Sequence, residues 1–230
     1  MDLRVEPQSL QRRAVEKLRS AILSGHFKPG DRLVEARLCE SLGISRASVR
    51  ESLRALEAER LIEIVPNRGP QIPIITWHQA EQIYQVRALL EGEAAALCAE
   101  RIDKDGVIKL NKACDSFKLA AENANVEECI KATAEFYKVI LSYSDNVIIE
   151  EILASLNARI NFLRGRSMSM KGRTQFSLRE MRAIAQAIKN KTPAAARRAA
   201  IDHVEKARMA AKSHYEQTIL KSSQSRTPSK

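Results

Sequence analysis

Apolar residues recur at helical spacing along almost the whole of this chain. Leu10, Ala14, Leu18, Ala21 and Ile22 share one face of a helix predicted over Ser9 to Ser24, with Gly25 ending it and residues 1–7 forming a short frayed arm. His26-Phe27-Lys28-Pro29-Gly30 reads as a turn. Val34, Leu38 and Leu42 stripe a second helix, and Gly43 breaks it, where glycine takes a left-handed backbone cheaply. Ser45 caps a third helix, whose stripe is Val49, Leu53 and Leu56. The period then changes. Leu61 to Val65 and Gln71 to Ile74 alternate as two strands around the turn Pro66-Asn67-Arg68-Gly69.

Beyond a boundary near Pro73 to Thr76 the helical period returns and persists. Thr76 caps a helix running to about Arg101, with Ile83, Val86, Leu90, Ala94 and Leu97 inward. Asp103 starts the next, through Leu110 and Phe117 to Ala124, and Asn125 caps a third aligned on Ile130, Ala134, Tyr137 and Leu141. Asn146 opens a fourth carrying Ile149, Ile152, Leu153, Leu156, Ile160 and Leu163, whose polar end at 164–173 is expected to fray. Leu178, Met181, Ala185 and Ile188 set a fifth, and Thr192 and Pro193 start the last. The pattern therefore predicts a mainly α chain. A winged helix-turn-helix fills 1–75, an antiparallel all-helical bundle fills 76–220, and a disordered polar tail covers 221–230.

What lies opposite the stripes supplies the chemistry. On the helix after Ser45, residues Arg50, Ala47, Arg54 and Glu51 face away from Val49, Leu53 and Leu56, and Arg46 stands at the exposed first turn. A helix-turn-helix whose second helix presents arginines outward is built to read a major groove, and the wing has a basic tip at Arg68.

The stretch from Ala14 to Gly69 resembles the winged-helix domain of GntR-type bacterial transcription regulators. The resemblance is carried by Lys28-Pro29-Gly30-Asp31-Arg32-Leu33, by Leu38-Cys39-Glu40-Ser41-Leu42-Gly43-Ile44-Ser45-Arg46 and by Val49-Arg50-Glu51-Ser52-Leu53-Arg54-Ala55-Leu56, with Leu61, Ile62 and Gly69 behind them. It implies contacts to operator DNA from Arg37, Ser45, Arg46, Arg50, Arg68 and Gly69. Ala47 stands where many relatives carry a hydroxyl.

Charge changes this picture little. The chain carries a net +10, but residues 1–75 hold 13 Lys/Arg against 10 Asp/Glu, so placed arginines support DNA binding better than the overall balance does. Aromatics at 4% argue against a single-strand binder built on stacking platforms. Cys39, Cys98, Cys114 and Cys129 form no CxxC and read as buried, reduced thiols. No signal core or membrane-spanning run is apparent, so a soluble cytoplasmic protein is expected.

The second half resembles the FCD-type effector domain of the FadR branch, in its six-helix variety. The match rests on Val86-Arg87-Ala88-Leu89-Leu90-Glu91, on Glu135-Phe136-Tyr137 and on Arg182-Ala183-Ile184-Ala185-Gln186-Ala187-Ile188. Many such domains hold a divalent metal through an Asp and a His four apart on the third helix and one His on each of the last two. Here those positions are Thr133, Tyr137, Met181 and His203. One imidazole among a hydroxyl, a phenol and a thioether is no transition-metal site, so neither metal nor cofactor is expected.

The same departure favours a neutral or aromatic effector over a small carboxylate. The candidate effector residues are Arg87, Thr133, Tyr137, Arg159, Met181 and His203. Plain core packing is the alternative for Tyr137 and Met181. Arg87 lies about 40° from Ile83, inside the buried stripe, and needs a partner. Glu91 one turn on supplies one, and the other reading is that Arg87 meets an anionic or carbonyl group of the effector.

No nucleotide-cradling glycine loop, nucleophile elbow or catalytic carboxylate pair is present in the sequence, so no enzyme is expected. The reading is a homodimeric, operator-binding repressor controlled by a small organic effector. An architectural DNA-binding protein without effector, or an all-helical enzyme with an appended reader, are the two alternatives.

Overall fold

The computed structural model describes residues 10–23 and 26–224. Residues 1–9, Ser24 and Gly25, and 225–230 lie outside the described residues, and with them the expected arm, the expected stop at Gly25 and the end of the expected tail. The chain divides between Ile75 and Thr76 into two compact units.

In the first unit, helices α1 (Leu10–Leu23), α2 (Glu35–Leu42) and α3 (Arg46–Ala58) precede strands β1 (Glu63–Val65) and β2 (Gly69–Gln71). Both α1 and α2 pack on α3. Their shared core is Ala14, Leu18, Ile22, Leu38, Val49, Leu53 and Leu56, closed by Leu61, Ile62 and Ile72. Gly43 ends α2 at φ +66, and its N–H donates to the Cys39 carbonyl at 2.9 Å. This left-handed cap turns the chain into Ser45, whose Oγ accepts from the Ser48 N–H at 3.2 Å and starts α3. Arg19 on α1 clamps the far end of α3 by donating to Glu59 at 2.9 Å.

The strands are antiparallel, with Val65 opposite Gly69 and Glu63 opposite Gln71. The chain just before α2 adds a third rung. Leu33 N–H donates to the Pro70 carbonyl at 2.8 Å and Ile72 N–H to the Asp31 carbonyl at 2.9 Å. That pairing buries Leu33 and leaves Val34 41% exposed at the N-cap of α2, so Leu33 takes the core place expected of Val34. Ile74, expected in the second strand, lies beyond it and is exposed.

In the second unit, α4 (Trp77–Arg101), α5 (Lys104–Glu122), α6 (Val126–Ser144), α7 (Val147–Met168), α8 (Arg173–Lys189) and α9 (Pro193–Gln224) form an all-helical bundle. Helix α4 touches α6, α7, α8 and α9. Thr76 and Gln79 close a capping box at its start, while Asp103, Asn125 and Asn146 cap α5, α6 and α7 through their side chains.

Surrounded on several sides, α4 buries an arc broader than one apolar stripe. Tyr84, Arg87, Glu91, Gly92, Ala95 and Cys98 are inside, whereas Val86 is exposed and Leu90 and Leu97 are only half-buried. Ile152 on α7, also expected inside, is 41% exposed. Two boundaries differ from expectation as well. Helix α7 runs on through Arg164 to Met168 instead of fraying, because Asn161, Arg164 and Ser167 are themselves buried on its inner face. Helix α9 continues through Lys221 to Gln224, where a disordered tail was expected. No Gly or Pro interrupts its hydrogen-bond ladder after Pro193.

Candidate functional site

Arg37, Ser45, Arg46, Arg50 and Arg68 are all exposed, and Gly69 is half-buried. Burial of Val49, Leu53 and Leu56 fixes which way α3 faces, and so Arg46, Arg50 and Arg54 are left on its outer side. Arg50 donates through Nε to Glu35 at the first turn of α2, at 2.9 Å. That bond holds the guanidinium between the two helices of the reading motif. At the wing, Asn67 and Gly69 take φ of +62 and +79, and the Arg68 N–H donates to the Val65 carbonyl at 3.0 Å. The tight turn carries Arg68 at its tip.

The interior of the bundle is less ordinary. Arg87 is fully buried and donates through Nε to Glu91 Oε1 at 2.7 Å, so the partner expected one turn on is present. Its guanidinium also lies 5.2 Å from the Tyr84 ring centre. Arg164, 6% exposed, stands with its guanidinium 5.1 Å from the Tyr137 ring and donates to Asn161 Oδ1 at 3.0 Å. The Tyr137 ring in turn stacks on His203 with centroids 6.4 Å apart. His203 Nδ1 lies 2.8 Å from Glu180 Oε2, which also accepts from Arg173 Nη2 at 2.8 Å. Glu91 also accepts from the Tyr137 hydroxyl, and so one continuous cluster joins α4, α6, α7, α8 and α9.

Burial shapes its protonation. It pulls the Arg87 guanidinium down, but the charge and hydrogen bond of Glu91 more than offset this and the pKa ends raised. Burial opposes ionisation of Glu91 too, and Arg87 with Arg164 outweighs it, so the carboxylate stays ionised. Arg164 is brought down to about 10 by burial and by the like charge of Arg87. Burial also holds His203 below its ordinary value, against the opposing pull of Glu180. With Glu180 ionised, the neutral imidazole must donate from Nδ1.

Several strong donors in this cluster lack any acceptor. Arg87 Nη1, Arg164 Nε, Arg173 Nε and Nη1, and the hydroxyl of Tyr84 are buried without a hydrogen-bond partner among the described residues, whereas the Tyr137 hydroxyl pairs with Glu91. Three guanidiniums meet two carboxylates, with His203 neutral, so one positive charge is uncompensated inside the bundle. Lys206, on the surface, adds another cation 3.9 Å from Glu180.

Of the effector residues expected from sequence, Arg87, Tyr137 and His203 lie in the cluster. Thr133 is buried, but its hydroxyl donates to the Cys129 carbonyl of its own helix at 2.8 Å. Met181 is fully buried beside Glu180 in sequence, and Arg159 is half-buried on α7. Tyr84, Asn161, Arg164, Arg173 and Glu180 were not anticipated. A signal existed for two of them. Arg164 follows Ile160 by four, and Arg173 heads the series Ser177, Met181, Ile184, Ile188, so each stands on a buried stripe.

Known proteins decide the class. Residues 10–72 match the bacterial regulatory proteins of the gntR family, and residues 82–206 match the FCD domain. The chain belongs to the GntR family.

This GntR-family regulator is 30% identical over 188 residues to the uncharacterized HTH-type transcriptional regulator YdhC of Bacillus subtilis (strain 168), spanning 81% of this chain and 84% of that protein. Over 82% of its length it is 26% identical to the galactonate operon transcriptional repressor of Escherichia coli (strain K12), of which it covers 91%. The solved structure of E. coli McbR/YncC shares the fold, with a TM-score of 0.77 at 22% identity, over 92% of this chain and all of that one. The protein is thus a transcription regulator with a DNA-binding winged helix and an FCD effector domain.

Its cluster does not fit the divalent metal expected of many FCD domains. Among the described residues no group of three His, Cys, Asp or Glu is placed to hold a metal ion. His203 offers the only imidazole at the expected positions, its Nδ1 already bonded to Glu180, and Glu91 is engaged by Arg87. The three free thiols inside the bundle are held protonated. Burial pushes Cys98 up to about 12 and Cys114 and Cys129 up to about 11.

Proposed function

We propose that this regulator is a cytoplasmic homodimeric repressor that binds a short palindromic operator and lets go when a small organic effector enters its FCD domain. Two α3 helices would occupy successive major grooves. Arg46 and Arg50 read base edges, with guanine the natural partner of a guanidinium fork, while Arg37 and the wing's Arg68 hold phosphates or reach the minor groove. Ser45 and Gly69 bring the backbone close to the sugar-phosphate chain. The chain works by binding, with no catalytic step.

The observation that carries this reading is the orientation of α3. Its apolar stripe is buried to within 2% exposure at Val49, Leu53 and Leu56, which leaves Arg46, Arg50 and Arg54 no face but the outer one. The effector acts by binding one relative pose of the two readers better than another, and useful switching needs a difference of a few kcal/mol. Binding to DNA upstream of the regulator's own coding region, compared with scrambled DNA of equal length across a salt series, tests it. Preference by about a thousandfold supports a specific operator; equal, steeply salt-dependent binding to both overturns it for that DNA.

A further inference from the structure

We propose that Arg32 is a further DNA-contacting residue, one that holds a backbone phosphate beside the wing turn. This rests on the reading that α3 and the wing bind operator DNA. Arg32 stands in none of the positions that the family resemblance marks for DNA, and it belongs neither to α3 nor to the hairpin. The chain before α2 pairs Arg32 with Gln71 of β2, and Gln71 in turn lies opposite Glu63 of β1. Directly opposed residues share one face of a sheet, and their neighbours take the other. Leu33 and Ile72 thus point into the core, at 1% and 2% exposure, while Arg32 and Gln71 lie on the outer face. Gly69, two residues before Gln71, belongs to that outer face as well.

From there the Arg32 side chain crosses diagonally towards the wing turn. A Cβ added at Gly69 would meet Arg32 Nη2 at 4.0 Å and no other atom within that distance. Gly69, at φ +79, closes the turn that carries Arg68. Two guanidiniums therefore serve this end of the wing, Arg68 from its tip and Arg32 laid along the sheet. The acids of the sheet are engaged elsewhere, for Asp31 accepts from the Lys28 N–H at 2.7 Å and Glu63 from Gln71 Nε2 at 2.6 Å. Arg32 has no ion-pair partner among the described residues, unlike Arg19 with Glu59 and Arg50 with Glu35. An exposed, unneutralised guanidinium fork beside a wing turn matches the geometry of a phosphate. Such a contact positions the duplex and carries no sequence information of its own.

The test measures dissociation constants of full-length protein for the duplex upstream of its own coding region and for a scrambled duplex of equal length, across a salt series. Arg32→Gln should weaken both by a similar factor, leave their ratio unchanged, and lessen the slope of log affinity against log salt by about one. Arg32→Lys keeps the charge and should restore most of the slope, which a loss of fold would not allow. Lys17→Gln, which removes one exposed charge from α1 of the same unit, should leave the slope as it is. An unaltered slope in Arg32→Gln, an equal flattening in Lys17→Gln, or no recovery in Arg32→Lys would overturn the proposal. A changed ratio between the duplexes would overturn it too, by making Arg32 a reader of bases. An unaltered slope with operator preference intact sinks Arg32 alone. If the wild type prefers neither duplex, the operator reading fails for that DNA, and the slope on both still scores Arg32.

Discussion

Arg87 Nε and Glu91 Oε1 lie 2.7 Å apart on successive turns of α4, with both side chains almost wholly removed from solvent. Neither member can be deleted cheaply, because the survivor keeps its charge in a low-dielectric interior. Glu91→Gln should destabilise the protein by about 3–5 kcal/mol, since Arg87 and Arg164 would then face each other with no neutralising carboxylate. The double replacement Arg87→Met with Glu91→Leu should cost far less. Urea unfolding of the two variants checks this; equal losses would mean that the pair contributes through packing alone.

Arg50 is tied to Glu35 at the surface, with side chains 63% and 32% exposed. Arg50→Ala should remove about 1–3 kcal/mol of operator binding and blur selectivity at one base position. Glu35→Ala should alter stability by less than about 1 kcal/mol, because exposed ion pairs contribute little. Competition binding with single-base operator variants decides it, and an unchanged base preference in Arg50→Ala removes Arg50 from the reading set.

Acid should loosen the bundle in two stages. Burial keeps His203 below its ordinary 6.5, so beneath that pH the unfolded chain takes up a proton that the folded chain refuses, and stability falls as pH drops. Burial works against ionisation of Glu180, but its bonds to His203 and Arg173 prevail and hold it below the ordinary 4.5. Its contribution is therefore present above 4.5 and is lost as pH falls through the lowered value. Unfolding free energies measured from about pH 7 to 4 should show both slopes. In His203→Gln the upper one should shrink, and an unaltered upper slope would assign it to other histidines.

Close helix approach fixes two glycines differently. A Cβ on Gly106 would lie 2.6 Å from Ile102 Cγ1 and 2.7 Å from the Tyr143 ring, so Gly106→Ala should destabilise by about 1–3 kcal/mol through overpacking. At Gly165 the nearest atom, Ile130 Cδ1, is at an ordinary 3.5 Å, and Gly165→Ala should stabilise α7 by about 0.5–1 kcal/mol. Thermal midpoints moving in the same direction would contradict the close approach of Ile102 and Tyr143 to Gly106.

Much of this protein follows from local rules. The helix starts at Ser45, Thr76, Asp103, Asn125 and Asn146 are set by short side chains reaching their own backbone, and the left-handed turn at Gly43 by the lack of a Cβ. These interactions span three or four residues, so the sequence alone locates them, and the same holds for the outward face of α3. The set Thr133, Tyr137, Met181 and His203 came instead from the resemblance to FCD domains, which no local rule supplies.

The electrostatic centre was decided elsewhere. Arg164 and Arg173 bound a stretch whose polarity suggested a frayed end, yet both are almost fully buried, and Glu180 on the next helix is largely so. No periodicity announces that guanidiniums from α4, α7 and α8 will share one interior, because their meeting depends on four helices closing around α4. The sequence by itself determined the reader, the caps and the succession of helices. Only the tertiary structure decided where uncompensated charge collects, since burial and long-range proximity, unlike capping, are properties of the packed whole.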